Sequence, residues 1–186
     1  MSILEKLDRA LARAEAALVV AIMAVMLGLS LVQLLLHALP TLATRLGAGP
    51  DTVAALPAGF EWADIVVRQM VLWLGFVGGA LATQEGRHIA IDAAARFLGP
   101  RRSAGLLVVS SLAALAVVVV LTRASVDFVL DERAKGVTLF GDTPSWPWKA
   151  VMPVAFAAIA FHFVVAALEQ LQVALGRRAP EPQEAA

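Results

Sequence analysis

Apolar positions in this chain fall into four long runs separated by polar or Pro/Gly-punctuated stretches. A bilayer core about 30 Å thick is crossed by about 20 mostly apolar residues of helix. Residues 17–39 carry no charge and are followed by Pro40. Ahead of them Leu4, Leu7 and Leu11 are set against Glu5, Asp8, Arg9 and Arg13, the period of an amphipathic helical lead-in. The run exceeds the apolar stretch of a signal peptide, about 7–15 residues, so a retained span is expected. The second run, 61–83, follows a loop marked by Gly47, Gly49, Pro50, Pro57 and Gly59 and holds Asp64 and Arg68 in its first half. The third, 104–122, follows Gly99, Pro100, Arg101 and Arg102. Its helix is expected to continue past Arg123, because Arg123/Asp127 and Asp131/Lys135 are spaced i,i+4. The fourth, 149–168, follows the Pro-rich turn from Thr143 to Trp148, with Pro153 near its start, where proline is tolerated. The Pro- and Glu-containing tail 177–186 has the composition of a disordered segment. The expected fold is an all-α integral membrane protein with four transmembrane helices. It has an amphipathic N-terminal lead-in, an interfacial helix after span two, and one transmembrane domain over residues 1–176.

Composition removes other classes. Of 186 residues 60% are apolar and 16% charged, with mean hydropathy +0.78, whereas soluble domains run at about 45–50% and about 25%. The polar surface is too small to cover a water-exposed globule. Fifteen Lys and Arg cancel fifteen Asp and Glu, so the basic excess of a nucleic-acid binder is missing. With no cysteine, the chain has no disulfide framework, thiolate metal site or cysteine nucleophile, and with no tyrosine it lacks another common catalytic acid.

Charge becomes informative when mapped on the runs. Lys6, Arg9, Arg13, Arg87, Arg96, Arg101, Arg102, Arg177 and Arg178 fall on one side, against Arg45, Arg123, Arg133, Lys135 and Lys149 on the other. Basic loops favour the cytoplasm, so both termini are expected there. Trp62, Trp146 and Trp148 then lie at the outer interface, where indole rings are enriched.

Span two is unusual. At 100° per residue, Glu61, Asp64, Arg68, Leu72, Gly75, Gly79 and Thr83 cluster on one meridian, and Trp62, Val66, Met70, Trp73 and Val77 lie opposite, on a face suited to lipid. Gly75 and Gly79 form a GxxxG pair, which admits a close helix neighbour. Asp64 and Arg68 are spaced to pair. An arginine at this depth costs about 2.5–3.5 kcal/mol on insertion scales unless it snorkels or is paired. The stripe reads either as a surface for another protein or an ion path, or as a packing face inside the chain's own bundle. Beyond the span, Glu85, His88, Asp92 and Arg96 form a ladder at helical spacing with Ile91, Ala94, Phe97 and Leu98 opposite. That pattern suits a helix in the interface plane, its charges solvated or ordered into a network.

Catalytic and cofactor signatures are missing. His37 near the outer end of span one, His88 at the inner surface and His162 roughly 18–20 Å down span four share no level, which argues against bis-histidine haem. His162 reads best as a hydrogen-bonded core residue. No nucleophile with a base, HExxH set or phosphate loop is present. Ser110 and Ser111 read as interhelical hydrogen-bond donors. Related halves with broken helices, usual in a self-sufficient transporter, are also missing. The chain reads as a component, not an enzyme, with no cofactor or metal site.

The stretch from Arg68 to Ala80, followed by Glu85-Gly86-Arg87-His88-Ile89-Ala90-Ile91-Asp92, resembles the small membrane subunit, DctQ-like, of tripartite ATP-independent periplasmic (TRAP) transporters. The Pro144-Ser145-Trp146-Pro147-Trp148 entry to span four, with Pro153, is similar as well, whereas the long Ala/Gly/Pro-rich loop from Thr41 to Gly59 departs from the pattern. The resemblance implies a scaffold partner of a large ion-coupled, multi-span permease in the bacterial inner membrane. It further implies sodium-coupled secondary active uptake of a small organic acid delivered by a periplasmic binding protein. On it, Glu61, Asp64, Arg68, Leu72, Gly75 and Gly79 are candidates for the partner-subunit interface. Glu85, His88, Asp92 and Arg96 form the cytoplasmic turn network, with His88 and Asp92 ordering a turn that braces the scaffold. A membrane anchor for a redox enzyme and a stand-alone small channel or transporter are the alternatives.

Overall fold

The structure is a computed structural model that describes residues 3–57, 59–84 and 100–176. In chain order it has α1 (Ile3–Arg45), α2 (Pro50–Ala54), α3 (Glu61–Gln84), α4 (Pro100–Ala134), an antiparallel hairpin of β1 (Thr138–Phe140) and β2 (Thr143–Pro144), α5 (Trp146–Lys149) and α6 (Val151–Ala174). Four of the helices are long and apolar enough to cross a membrane. The fold class is the one the apolar runs predict.

The lead-in and the first span are one helix. With 43 residues, α1 is about 65 Å long at 1.5 Å per residue, about twice the hydrocarbon thickness. The helix runs through Pro40 to Arg45. A proline removes one backbone donor, and the Thr44 hydroxyl donates to the Pro40 carbonyl at 2.8 Å. The helix stops where Gly47 takes φ +80°. There Gly47 N–H donates to Thr44 O and Ala48 N–H to Ala43 O, the paired bonds of a Schellman stop. The same device ends α4. Gly136, at φ +62°, donates to Arg133 O while Val137 donates to Glu132 O, after a helix that continues past Arg123 as its i,i+4 charges suggest.

The long helices form a row, α1–α3–α6–α4. Helix α4 packs along α6, α3 packs against both α6 and α1, and α1 meets α6 only lightly. Position in the row sets burial. The central α6 buries Ala155, His162, Phe163, Val165 and Ala167, whereas the long α1 buries only Ala12, Glu15 and Ile22. Leu27 on α1 and Val120 on α4 stay 68% and 66% exposed, suited to acyl chains rather than water.

Candidate functional site

Helix α3 presents two unlike sides. Ala63, Val66, Val77 and Ala80 are buried, with Met70 and Trp73 half-buried beside them. This is a correction. Apart from Trp62, which remains exposed, the face expected to meet lipid is turned into the chain's own row. The reason is volume: between α1 and α6 the helix fills space with bulky apolar groups, which glycines and charges cannot do. The Trp73 indole N–H also donates to the Trp148 carbonyl at 2.7 Å, tying α3 to α5.

The stripe of Glu61, Asp64, Arg68, Leu72, Gly75 and Gly79 therefore faces away from the row. Leu72 is half-buried and the other five residues are exposed. A Cβ added at Gly75 or Gly79 would meet nothing within 4 Å, so no helix among the described residues uses the close approach they permit. Asp64 and Arg68 form no ion pair among the described residues, although their spacing allows one. The ladder residues Glu85, His88, Asp92 and Arg96 lie outside the described residues.

The polar cluster that the structure does assemble was not legible as a site. His162, 3% exposed, stands between two carboxyl groups of α1. Its Nδ1 lies 2.7 Å from Asp8 Oδ1, and its Nε2 lies 3.2 Å from Glu15 Oε2 and 3.3 Å from Oε1. The Gln84 amide, at the end of α3, donates to Asp8 Oδ2 at 3.4 Å. Asp8 and Glu15 are two helical turns apart and share a face. That face looks inward, while Leu4 and Leu7, the apolar side of the lead-in, are exposed. The available signal was the i,i+7 acid pair at the edge of an apolar run, together with a histidine inside another. Both imidazole nitrogens thus face carboxyl oxygens. Among the described residues no group of three or more His, Cys, Asp or Glu is arranged to hold a metal ion.

Beside Glu15, an apolar cleft of about 400 Å³ lies among α1, α3 and α6, walled by Leu11, Leu18, Trp73, Val77, Val151 and Ala155. Glu15 is the one charged residue lining it.

A second polar cluster closes the hairpin end. Glu132 Oε2 accepts from the Ser145 hydroxyl at 2.5 Å and pairs with Lys149 Nζ at 2.7 Å. Ser145 is fully buried. These two bonds, Lys149 first, hold the Glu132 carboxyl below the usual carboxylate range; the group lies beyond the apolar run of α4. Arg133 lies over the Trp146 ring and Lys149 over the Phe128 ring. Trp62, Phe140, Trp148 and Trp73 continue the aromatic contacts toward α3. The Asp131–Lys135 pair expected from spacing forms at 2.5 Å. No Arg123–Asp127 pair forms among the described residues.

Comparison with known proteins gives these features a setting. The family model for tripartite ATP-independent periplasmic transporters, DctQ component, matches residues 52–173. Neither curated proteins nor solved structures give a significant match. The matched segment is well over half the chain and carries α3, α4, the hairpin and nearly all of α6. The chain belongs to the DctQ family of TRAP transporter small membrane components.

Proposed function

We propose that the chain is the fixed scaffold subunit of its transporter and binds a large, ion-coupled, multi-span permease through Glu61, Asp64, Arg68, Leu72, Gly75 and Gly79. One observation carries this reading: among the described residues, the stripe with the span's charges and its GxxxG pair faces away from the other helices. Left in lipid, Arg68 would cost about 2.5–3.5 kcal/mol on insertion scales, and the two glycines would forgo the close packing that drives helix association in a bilayer. A partner helix answers both, with glycine allowing backbone approach and a polar group meeting Asp64 or Arg68.

The wider role follows family membership. The partner carries the transport sites for a small organic acid and sodium, a periplasmic protein delivers the acid, and this chain widens the body against which the transport element moves. The excess of basic residues beside the termini and in the loop after α3 supports an N-in, C-in arrangement in the inner membrane. Glu85, His88, Asp92 and Arg96 would then order the cytoplasmic turn.

The test is recovery of the complex. Tagged chain extracted in mild detergent should bring down a large multi-span protein, and Arg68→Leu should reduce that recovery several-fold while the variant inserts normally. Recovery of the wild-type chain alone would overturn the scaffold role; full recovery with Arg68→Leu would remove Arg68 from the interface.

A further inference from the structure

We propose that Asp8, His162 and Glu15 form a proton-binding site that clasps the N-terminal turns of α1 onto α6, closed while the set holds one exchangeable proton and opened when that proton leaves. A neutral imidazole has one N–H and one lone pair, and an ionised carboxylate only accepts. Here each ring nitrogen faces a carboxyl oxygen, at 2.7 Å on the Asp8 side and 3.2 Å on the Glu15 side. With both carboxylates ionised and the ring neutral, one nitrogen must point its lone pair at an anionic oxygen. One further proton, on the ring or on a carboxyl, makes both contacts hydrogen bonds.

The surroundings leave that proton without a substitute. Helix α1 contributes Asp8 and Glu15, both acidic, and α3 contributes the neutral Gln84 amide. Helix α4, on the other side of α6, makes no charged contact to the ring among the described residues, and no Lys or Arg pairs with the cluster there. Loss of the proton therefore takes the set from one net negative charge to two, with no cation paired to it among the described residues to offset the second.

The cluster is also where α1 depends on α6. The two helices meet only lightly, and an apolar cleft lined by both lies beside Glu15. Protonation can thus bias a two-state contact, attached or released, in the N-terminal turns of α1, which supply both acids. This reading does not depend on the large partner.

The experiment uses the full chain in lipid nanodiscs. Since the protein has no cysteine, Leu4→Cys and Leu171→Cys, both at exposed positions, give two spin labels, on α1 and α6, for distance measurement. The wild-type background should give a narrow distribution in mildly acidic buffer and shift to longer, broader distances in alkaline buffer. Glu15→Gln supplies a permanent amide N–H to Nε2, so its distribution should stay narrow in both buffers. His162→Phe, which removes both bonds, should be broad in both. A wild-type distribution that does not change with pH, a Glu15→Gln variant that opens like wild type, or a narrow His162→Phe distribution would overturn the clasp.

Discussion

The N-terminal turns of α1 and the outward stripe of α3 begin from the same kind of sequence, charged residues repeated at helical spacing beside an apolar run, yet they end in opposite environments. On α1 the charged side turns inward, where His162 lies between Asp8 and Glu15, and Leu4 and Leu7 face out. On α3 the charged side turns outward, and the apolar side of Val66, Val77 and Ala80 fills the row. What differs is the complement available within the chain. The central helix α6 offers α1 a histidine, but among the described residues no helix offers Arg68 a carboxylate or takes up the space at Gly75 and Gly79. A polar stripe that its own chain satisfies ties the fold together. One that its own chain leaves unanswered is where a second subunit belongs.

The contrast can be tested by exchanging crowding between the two sides of α3. The larger effect is expected from the double variant Gly75→Leu/Gly79→Leu. Open space around both positions lets the isolated chain keep its fold, while partner recovery falls at least about tenfold, the ratio set by about 1.4 kcal/mol. Quantitative pull-down from membranes reads the loss, and thermal unfolding of the isolated subunit checks that its fold persists. A smaller effect of the opposite kind is expected from Ala80→Leu. Ala80 is 1% exposed, and overpacking such a site costs about 1–3 kcal/mol. The isolated subunit should unfold at a lower temperature, with partner recovery falling only as far as folded protein falls. If the glycine variant destabilised the chain and Ala80→Leu left it unchanged, the two sides would be assigned the wrong way round.

Much of the architecture was legible because bilayer thickness and helix period are strong constraints. The apolar run 61–83 becomes Glu61–Gln84, the helix past Arg123 follows its charge spacing, and Asp131 pairs with Lys135. Which way each amphipathic side turns was not legible. The Leu4–Leu7–Leu11 pattern of α1 identifies a helix with two unlike sides, but in a membrane the apolar side can face lipid as readily as protein, so the pattern does not say that Asp8 looks inward. Its partner His162 is 154 residues away, a pairing that local periodicity does not reach. The same ambiguity reversed the expectation for Trp73 and Val77 on α3. Pro40 does not end α1, since one lost hydrogen bond is a small fraction of a 43-residue helix; the stop comes at Gly47, whose positive φ the chain needs there.

The central claim is that the outward stripe of α3 meets another protein rather than lipid. The most direct measurement is a photocrosslinking side chain at Leu72, midway between Arg68 and Gly75, in the assembled transporter in its native membrane. A covalent adduct between this chain and the large multi-span subunit is expected. Adducts with lipid alone, formed while the complex remains intact, would contradict it.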